Sequence, residues 1–339
     1  MYSPLDTPAP SNLILRMPAP RVAVLLNPLS GRVRRRAAAV RARVCELAGP
    51  LYAEASEPAA MTDAVLGFSL GTDDVLCVVA GDGTLHAVLT AFERRPDVER
   101  PILAPAPGGT TNMTTRDLGR PGGLFRYLEA LLCWKAAGGG ADAPGRLVER
   151  PVLRIAAPGS DPLAGMFFGA GTVAAGVDFF NRRLRSMGIP AAVGSPVAVV
   201  RTMLAVAMGG RSLDHLAPPT TVCVERGPVL DGPAVFLVAT TLHRLIFGAR
   251  PYWANGLGPI HFTLVERGAV GMFRNVPRLA IGRASDRMTP ERGWHSHGTS
   301  CVHVTLDGPF IVDGEIHHAS RADGPLELSA SRAARFWMP

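Results

Sequence analysis

The chain has 339 residues, enough for two domains that each bury a core, and its 47% apolar and 19% charged residues describe a folded protein. A formal net charge of +7 and a pI near 9.7 favour anionic partners such as nucleic acid, anionic phospholipid or nucleotide phosphate. There is no zinc-finger spacing or RNA-binding aromatic pattern to support nucleic acid, no run of roughly 18 apolar residues to span a membrane, and no Cys-x-x-Cys among the five cysteines, which points to reduced thiols in a cytoplasmic protein.

Residues 1–20 hold Pro4, Pro8, Pro10, Pro18 and Pro20 without a continuous apolar core, and read as a disordered lead-in rather than a signal peptide. From residue 21 the pattern alternates between short apolar β-prone runs and helical stretches. Strands are expected over 21–26, 51–53, 75–80 and 102–104, and helices over 33–47, 59–68, 85–92 and 124–132. That rhythm predicts a doubly wound parallel α/β domain over 21–145, with Gly138-Gly139-Gly140 and Pro144 marking a linker. Afterwards short β-like runs dominate (149–156, 165–170, 220–225, 234–241, 260–266, 300–306 and 326–329), interrupted by one helical segment at 177–208. A mainly β sandwich over 146–339 is the expectation.

Three strands of the first domain end in small and hydroxylic residues. They are Asn27-Pro28-Leu29-Ser30-Gly31-Arg32, Gly81-Asp82-Gly83-Thr84 and Gly108-Gly109-Thr110-Thr111-Asn112. Glycines that turn a strand into a helix N-terminus let a phosphate approach backbone N–H groups and the positive helix end. Asp82 beside such a cradle would repel the anion unless it holds a metal ion or accepts a proton from an attacking hydroxyl. Open parallel sheets gather ligands at the carboxyl ends of their strands.

Asn-Pro-x-Ser-Gly, Gly-Asp-Gly-Thr and Gly-Thr-x-Asn, in this order and followed by Val312-Asp313-Gly314-Glu315, resemble the motifs of the diacylglycerol kinase catalytic domain shared by bacterial lipid kinases and by sphingosine and ceramide kinases. The resemblance implies ATP and Mg²⁺ as cofactors, a membrane lipid hydroxyl as acceptor, and an active site in the cleft between the two domains. It implies nucleotide contacts for Asn27, Ser30, Gly31, Arg32, Gly81, Gly83, Thr84, Gly108, Gly109, Thr110, Asn112 and Arg116, and for Ser56 after the second strand. Asp82, Asp313 and Glu315 become the catalytic acids, with Asp82 also a candidate magnesium ligand. Either Asp82, as in sphingosine kinases, or Asp313, as in bacterial diacylglycerol kinases, is the base. His86, which resembles the sphingosine kinase variant, and Asp178 fall where the family meets its lipid.

The chain departs from the family at Ala80, His86, Ala87 and Met113. Its stretch 256–260 offers no carboxylate for the structural magnesium of bacterial members. Several residues also have plainer readings. Ser30 suits a helix N-cap, and Arg34, Arg35, Arg36, Arg41 and Arg43 a solvated helix face. His295-Ser296-His297 and His317-His318 suit exposed polar loops rather than a metal site. Phe179, Phe180, Leu184 and Met187, interleaved with Arg182, Arg183 and Arg185, suit either a core helix or a peripheral helix on the anionic inner face of the membrane. Oligomerisation is compatible with all of this. The competing functions are a soluble kinase of the NAD kinase type, against which Ala87 speaks, and a non-catalytic lipid-binding regulator, against which the retained acids speak.

Overall fold

The computed structural model describes residues 19–140, 143–179, 217–254, 256, 258–281 and 283–339. Strands β1 (Val22–Leu26), β2 (Tyr52–Glu54), β3 (Val75–Ala80) and β4 (Ile102–Pro107) form a parallel sheet in the order β4-β3-β1-β2. Every residue of β1, β3 and β4 is buried, as expected of uninterrupted apolar runs covered by helices on both faces. The covering helices are α1 (Gly31–Arg34), α2 (Ala37–Ala48), α3 (Pro58–Gly67), α4 (Asp82–Glu93), α5 (Met113–Leu118) and α6 (Leu124–Ala136).

The second part is mainly β: β5 (Arg146–Ala156), β6 (Leu163–Gly165), β7 (Phe167–Gly171), β8 (Pro219–Val224), β9 (Val229–Thr240), β10 (Ile260–Glu266), β11 (Trp294–Thr299), β12 (Cys301–Leu306), β13 (Gly308–Val312), β14 (Glu315–Ala319) and β15 (Leu326–Met338). Among the described residues two α-helices accompany them, α7 (Thr172–Phe179) and α8 (Met272–Ala280). Alternation along β12 sends Val302, Val304 and Leu306 inward, where they meet Phe168, Phe262 and Phe310 in the core between the two layers of the sandwich. The architecture is therefore mixed α/β, an N-terminal parallel α/β part followed by a mainly β part.

One strand joins the two. β15 is antiparallel to β12 and β5 in the sandwich, then runs on to pair in parallel with β4 at Phe336–Leu103. Pro105 and Pro107 on β4 cannot donate to a ladder, and the pairing with β15 stops short of them. Phe336, Trp337 and Met338 bury themselves in the N-terminal core, where the Tyr127 hydroxyl donates to the Trp337 carbonyl at 2.8 Å. The expected strand at 326–329 is thus the first third of a longer one.

Other expectations change in detail. The helix over 33–47 is two helices, α1 and α2, and α4 begins at Asp82 rather than at residue 85. His295-Ser296-His297 is not an exposed loop but part of β11: His295 is buried and bonds the Glu266 carboxylate at 2.7 Å. His317-His318 lies in β14, with His317 half-buried. Helix α8 was not anticipated, because Gly271 and Pro277 break its pattern. Of the helical segment at 177–208 only the part within α7 is described; Phe180, Arg182, Arg183, Leu184, Arg185 and Met187 lie outside the described residues.

Candidate active site

Because β4, β3 and β1 are parallel neighbours, the three loops at their carboxyl ends converge. The Asn27 side-chain amide donates to the Thr84 hydroxyl at 2.8 Å, and the Arg32 N–H donates to the Gly108 carbonyl at 2.8 Å. Gly108 and Gly109 both donate to the Ala80 carbonyl at 2.9 Å. This packing requires glycine: a β-carbon on Gly109 would stand 2.4 Å from the Gly81 Cα, and one on Gly31 2.8 Å from the Thr110 hydroxyl. Ala80 is the last residue of β3, where extended backbone does not call for glycine. That departure from the family leaves the loop intact.

Ser30 occupies the N-cap position of α1, but its side chain makes no capping bond and its hydroxyl stays available at the cradle. Asn112 is buried in a left-handed conformation (φ 49°), and its side chain accepts from the Gly109 N–H and donates to the Gly109 carbonyl, each at 2.9 Å. It shapes the third loop from within. Arg32 is held below its usual basicity by burial first, then by the charges of Arg116 and Arg35. Uncompensated cations gathered at a glycine cradle suit an anion.

Asp82 opens α4, and its carboxylate crosses to the third loop. There it accepts from the N–H groups of Met113, at 2.9 Å, and Thr114, at 3.1 Å. The bond uses the backbone of residue 113, so the family's missing acid at Met113 does not disturb it. Burial pushes Asp82 above the usual carboxylate range, against the pull of those two donors.

Asp313 reaches the same place from the other domain. Asp313 and Gly314, at φ 47° and 94°, form the two-residue turn between β13 and β14, the Asp-Gly pairing that a tight hairpin with two left-handed residues selects. The turn tip is tucked under β7. Asp313 donates its N–H to the Phe167 carbonyl at 3.0 Å, and its Oδ2 accepts from the Met166 N–H at 2.9 Å. Gly165 makes room, since a β-carbon there would lie 2.5 Å from Oδ2. Oδ1 is buried without a partner. Burial, and then the Asp82 charge, push Asp313 well above the carboxylate range. Two buried carboxyls, one of them raised by the other's charge and left with an orphaned oxygen, accommodate a proton or a divalent cation.

Between α3 and the first turns of α4 opens a cleft of about 560 Å³ lined by Asn27, Ser56, Gly83, Thr84, His86, Glu315 and His317, among others. Glu315, the first residue of β14, is exposed and leans over Gly83. The His86 Nδ1 donates to the Ala164 carbonyl at 2.8 Å, tying α4 to β6, and its ring meets His317 edge-on at 5.8 Å. Burial, more than its neighbours, lowers His86 to about 4, so it is neutral at neutral pH. Asp178 lies on α7 and is not among the residues lining this cleft. His317, expected in an exposed polar loop, lines the cleft instead, because the β13–β14 hairpin folds it there; the nearest signal in the sequence was the Asp-Gly turn four residues earlier.

Comparison with known families matches residues 21–135 to the model of the diacylglycerol kinase catalytic domain. Those residues carry that domain. No curated protein matches the chain. Among solved structures, a Bacillus anthracis protein assigned as a diacylglycerol kinase superposes with a TM-score of 0.65 at 15% identity, covering 94% of this chain and 95% of that one. A second structure from the same organism, with the same assignment, gives 0.63 at 17% identity, covering 93% and 96%. At such identities the likeness concerns the fold, and it extends over both the α/β and the β parts. Only the kinase domain match bears on chemistry.

Proposed function

We propose that this protein transfers the γ-phosphate of ATP to a hydroxyl of a membrane lipid, the acceptor being a diacylglycerol, ceramide or sphingoid base. The observation that carries the reading is that Asp82, tied to the third loop at Met113 and Thr114, and the β13–β14 turn of the second domain, with Asp313 buried at its tip and Glu315 against Gly83, converge on one glycine cradle near Arg32. The three loops hold the phosphates, and the acceptor hydroxyl enters beside Glu315 and His317, at the edge of the cleft whose Asn27, Ser56 and Thr84 side serves the nucleotide.

Phosphoryl transfer depends mostly on positioning and charge neutralisation. The acceptor oxygen forms a bond to the γ-phosphorus, the bond to the bridging β–γ oxygen breaks, and ADP leaves. The hydroxyl proton passes to a carboxylate. The partnerless Oδ1 of Asp313 favours it for that task, while Asp82, fixed by two N–H donors, aligns the third loop against the phosphates. The raised acid pair fits a Mg²⁺ ion arriving with the nucleotide, which Asp82 and Asp313 would hold and which would neutralise phosphate charge. Among the described residues no three His, Cys, Asp or Glu side chains form a metal-binding group of their own. No described helix is long and apolar enough to cross a membrane, so the lipid would be met at the bilayer surface.

The test is incubation with γ-labelled ATP and mixed micelles of diacylglycerol, ceramide, sphingosine or another long-chain alcohol. Label in at least one lipid, dependent on Mg²⁺, is expected. Label in none of them, with label instead in NAD, would replace this reading with a soluble kinase.

A further inference from the structure

Helix α8 carries apolar side chains on its outward side as well as on its buried one. Met272, Asn275, Val276 and Leu279 face inward and are buried with Trp294 and Val265. The outward side should be polar. Instead Phe273 is 57% exposed and Ile281 60% exposed, with the exposed Pro277 between them and Val270, 56% exposed, just before the helix. Positions 273 and 277 are four residues apart within α8 and so share one outward apolar stripe, and Val270 and Ile281, just outside the two helix ends, add exposed apolar surface before and after it.

Arginines flank the stripe. Arg274 and Arg278 stand beside it on α8, and Arg283 and Arg287 follow, all exposed and without an ion pair among the described residues. From 267 to 292 the chain has six arginines (Arg267, Arg274, Arg278, Arg283, Arg287, Arg292) against Asp286 and Glu291, a net +4. A row of large apolar side chains flanked by exposed arginines matches a bilayer interface, with apolar groups entering between anionic headgroups and guanidinium groups on the phosphates. A second copy of this chain fits less well, because a two-fold contact would set the same arginines against one another.

We propose that the outward face of α8 docks the protein on anionic phospholipid. The inference rests on the lipid kinase reading only for its purpose, since docking would bring the protein to its acceptor; the surface itself is argued from α8 alone.

The experiment is sedimentation of the full chain with large vesicles, without nucleotide, comparing phosphatidylglycerol–phosphatidylcholine mixtures with pure phosphatidylcholine. The unsubstituted protein is expected to bind the anionic vesicles and to release them in high salt. Arg274→Gln with Arg278→Gln should weaken binding by about fivefold per arginine, and Phe273→Ser with Ile281→Ser by about tenfold or more, with thermal melting unchanged because all four side chains are exposed. Unchanged binding in both variants overturns the proposal. So does a dimer in light scattering that Phe273→Ser with Ile281→Ser converts to monomer. Each variant is also assayed on a short-chain, water-dispersed acceptor. Vesicle binding without phosphorylation of any acceptor leaves the docking face standing and removes the kinase reading, whereas phosphorylation without binding does the reverse.

Discussion

The Glu315 carboxylate lies 2.5 Å from the point that a β-carbon on Gly83 would occupy, so the acid from the second domain closes over the first turn of α4 only because that turn lacks a side chain there. Gly83→Ala would meet the end of a flexible, exposed side chain, which can swing aside. Alanine also favours the helix by up to about 1 kcal/mol over glycine. The melting temperature should therefore hold or rise while turnover falls about tenfold as Glu315 is displaced. A variant with normal turnover would remove Glu315 from the site.

Gly109→Ala differs because its clash is with backbone, the Gly81 Cα at 2.4 Å. Neither loop can yield without moving its strand, and overpacking of this kind costs about 1–3 kcal/mol. A lower melting temperature together with weaker ATP binding, measured by calorimetry, is expected. Wild-type values for both would show that the loops do not pack as described.

Asp313 is raised well above the usual carboxylate range, chiefly by burial and then by Asp82. For a raised acid, the fold is favoured below the unfolded value of about 3.9 and loses stability as pH rises toward the folded value. Asp313→Asn removes that loss, so its melting temperature should exceed the parent's at pH 8 and converge with it near pH 4. Equal melting curves at pH 8 would contradict the burial of an unfavourable charge.

His86 has the opposite sign. Its value of about 4 lies below the 6.5 of a free imidazole, chiefly through burial, so its contribution is complete above pH 6.5 and is lost as pH falls toward 4. His86→Asn should flatten the decline of stability across that window, read from chemical denaturation at several pH values. An unchanged slope would mean that the ring is solvated rather than enclosed against Ala164.

Much of the N-terminal part was legible in the sequence because buried parallel strands read as unbroken apolar runs, as in β1 and β3, and because glycine loops mark their ends. The long reach of β15 was not legible: Ser331, Arg332 and Arg335 interrupt its pattern, and only the far-away β4 and Tyr127 explain the burial of Phe336 and Trp337. For the site, the residues of each loop were visible but their partners were not. Nothing local links Asp82 to the N–H groups of residues 113 and 114, or Asp313 to Gly165 and Met166. Likewise the Glu266–His295 pair turned an apparent polar loop into a strand through a contact made only in the folded sheet.

The proposed phosphoryl-transfer site is Asp82 and Asp313 together. Its most direct measurement is turnover of Asp82→Asn and Asp313→Asn at saturating Mg-ATP on the best lipid acceptor, with folding checked by thermal melting. Loss of a positioned acid–base group, as in Asp313→Asn, or of the carboxylate that aligns the phosphates, as in Asp82→Asn, costs about 100-fold or more, and both variants should show at least that loss while remaining folded. Near-normal turnover in either folded variant would contradict the claim.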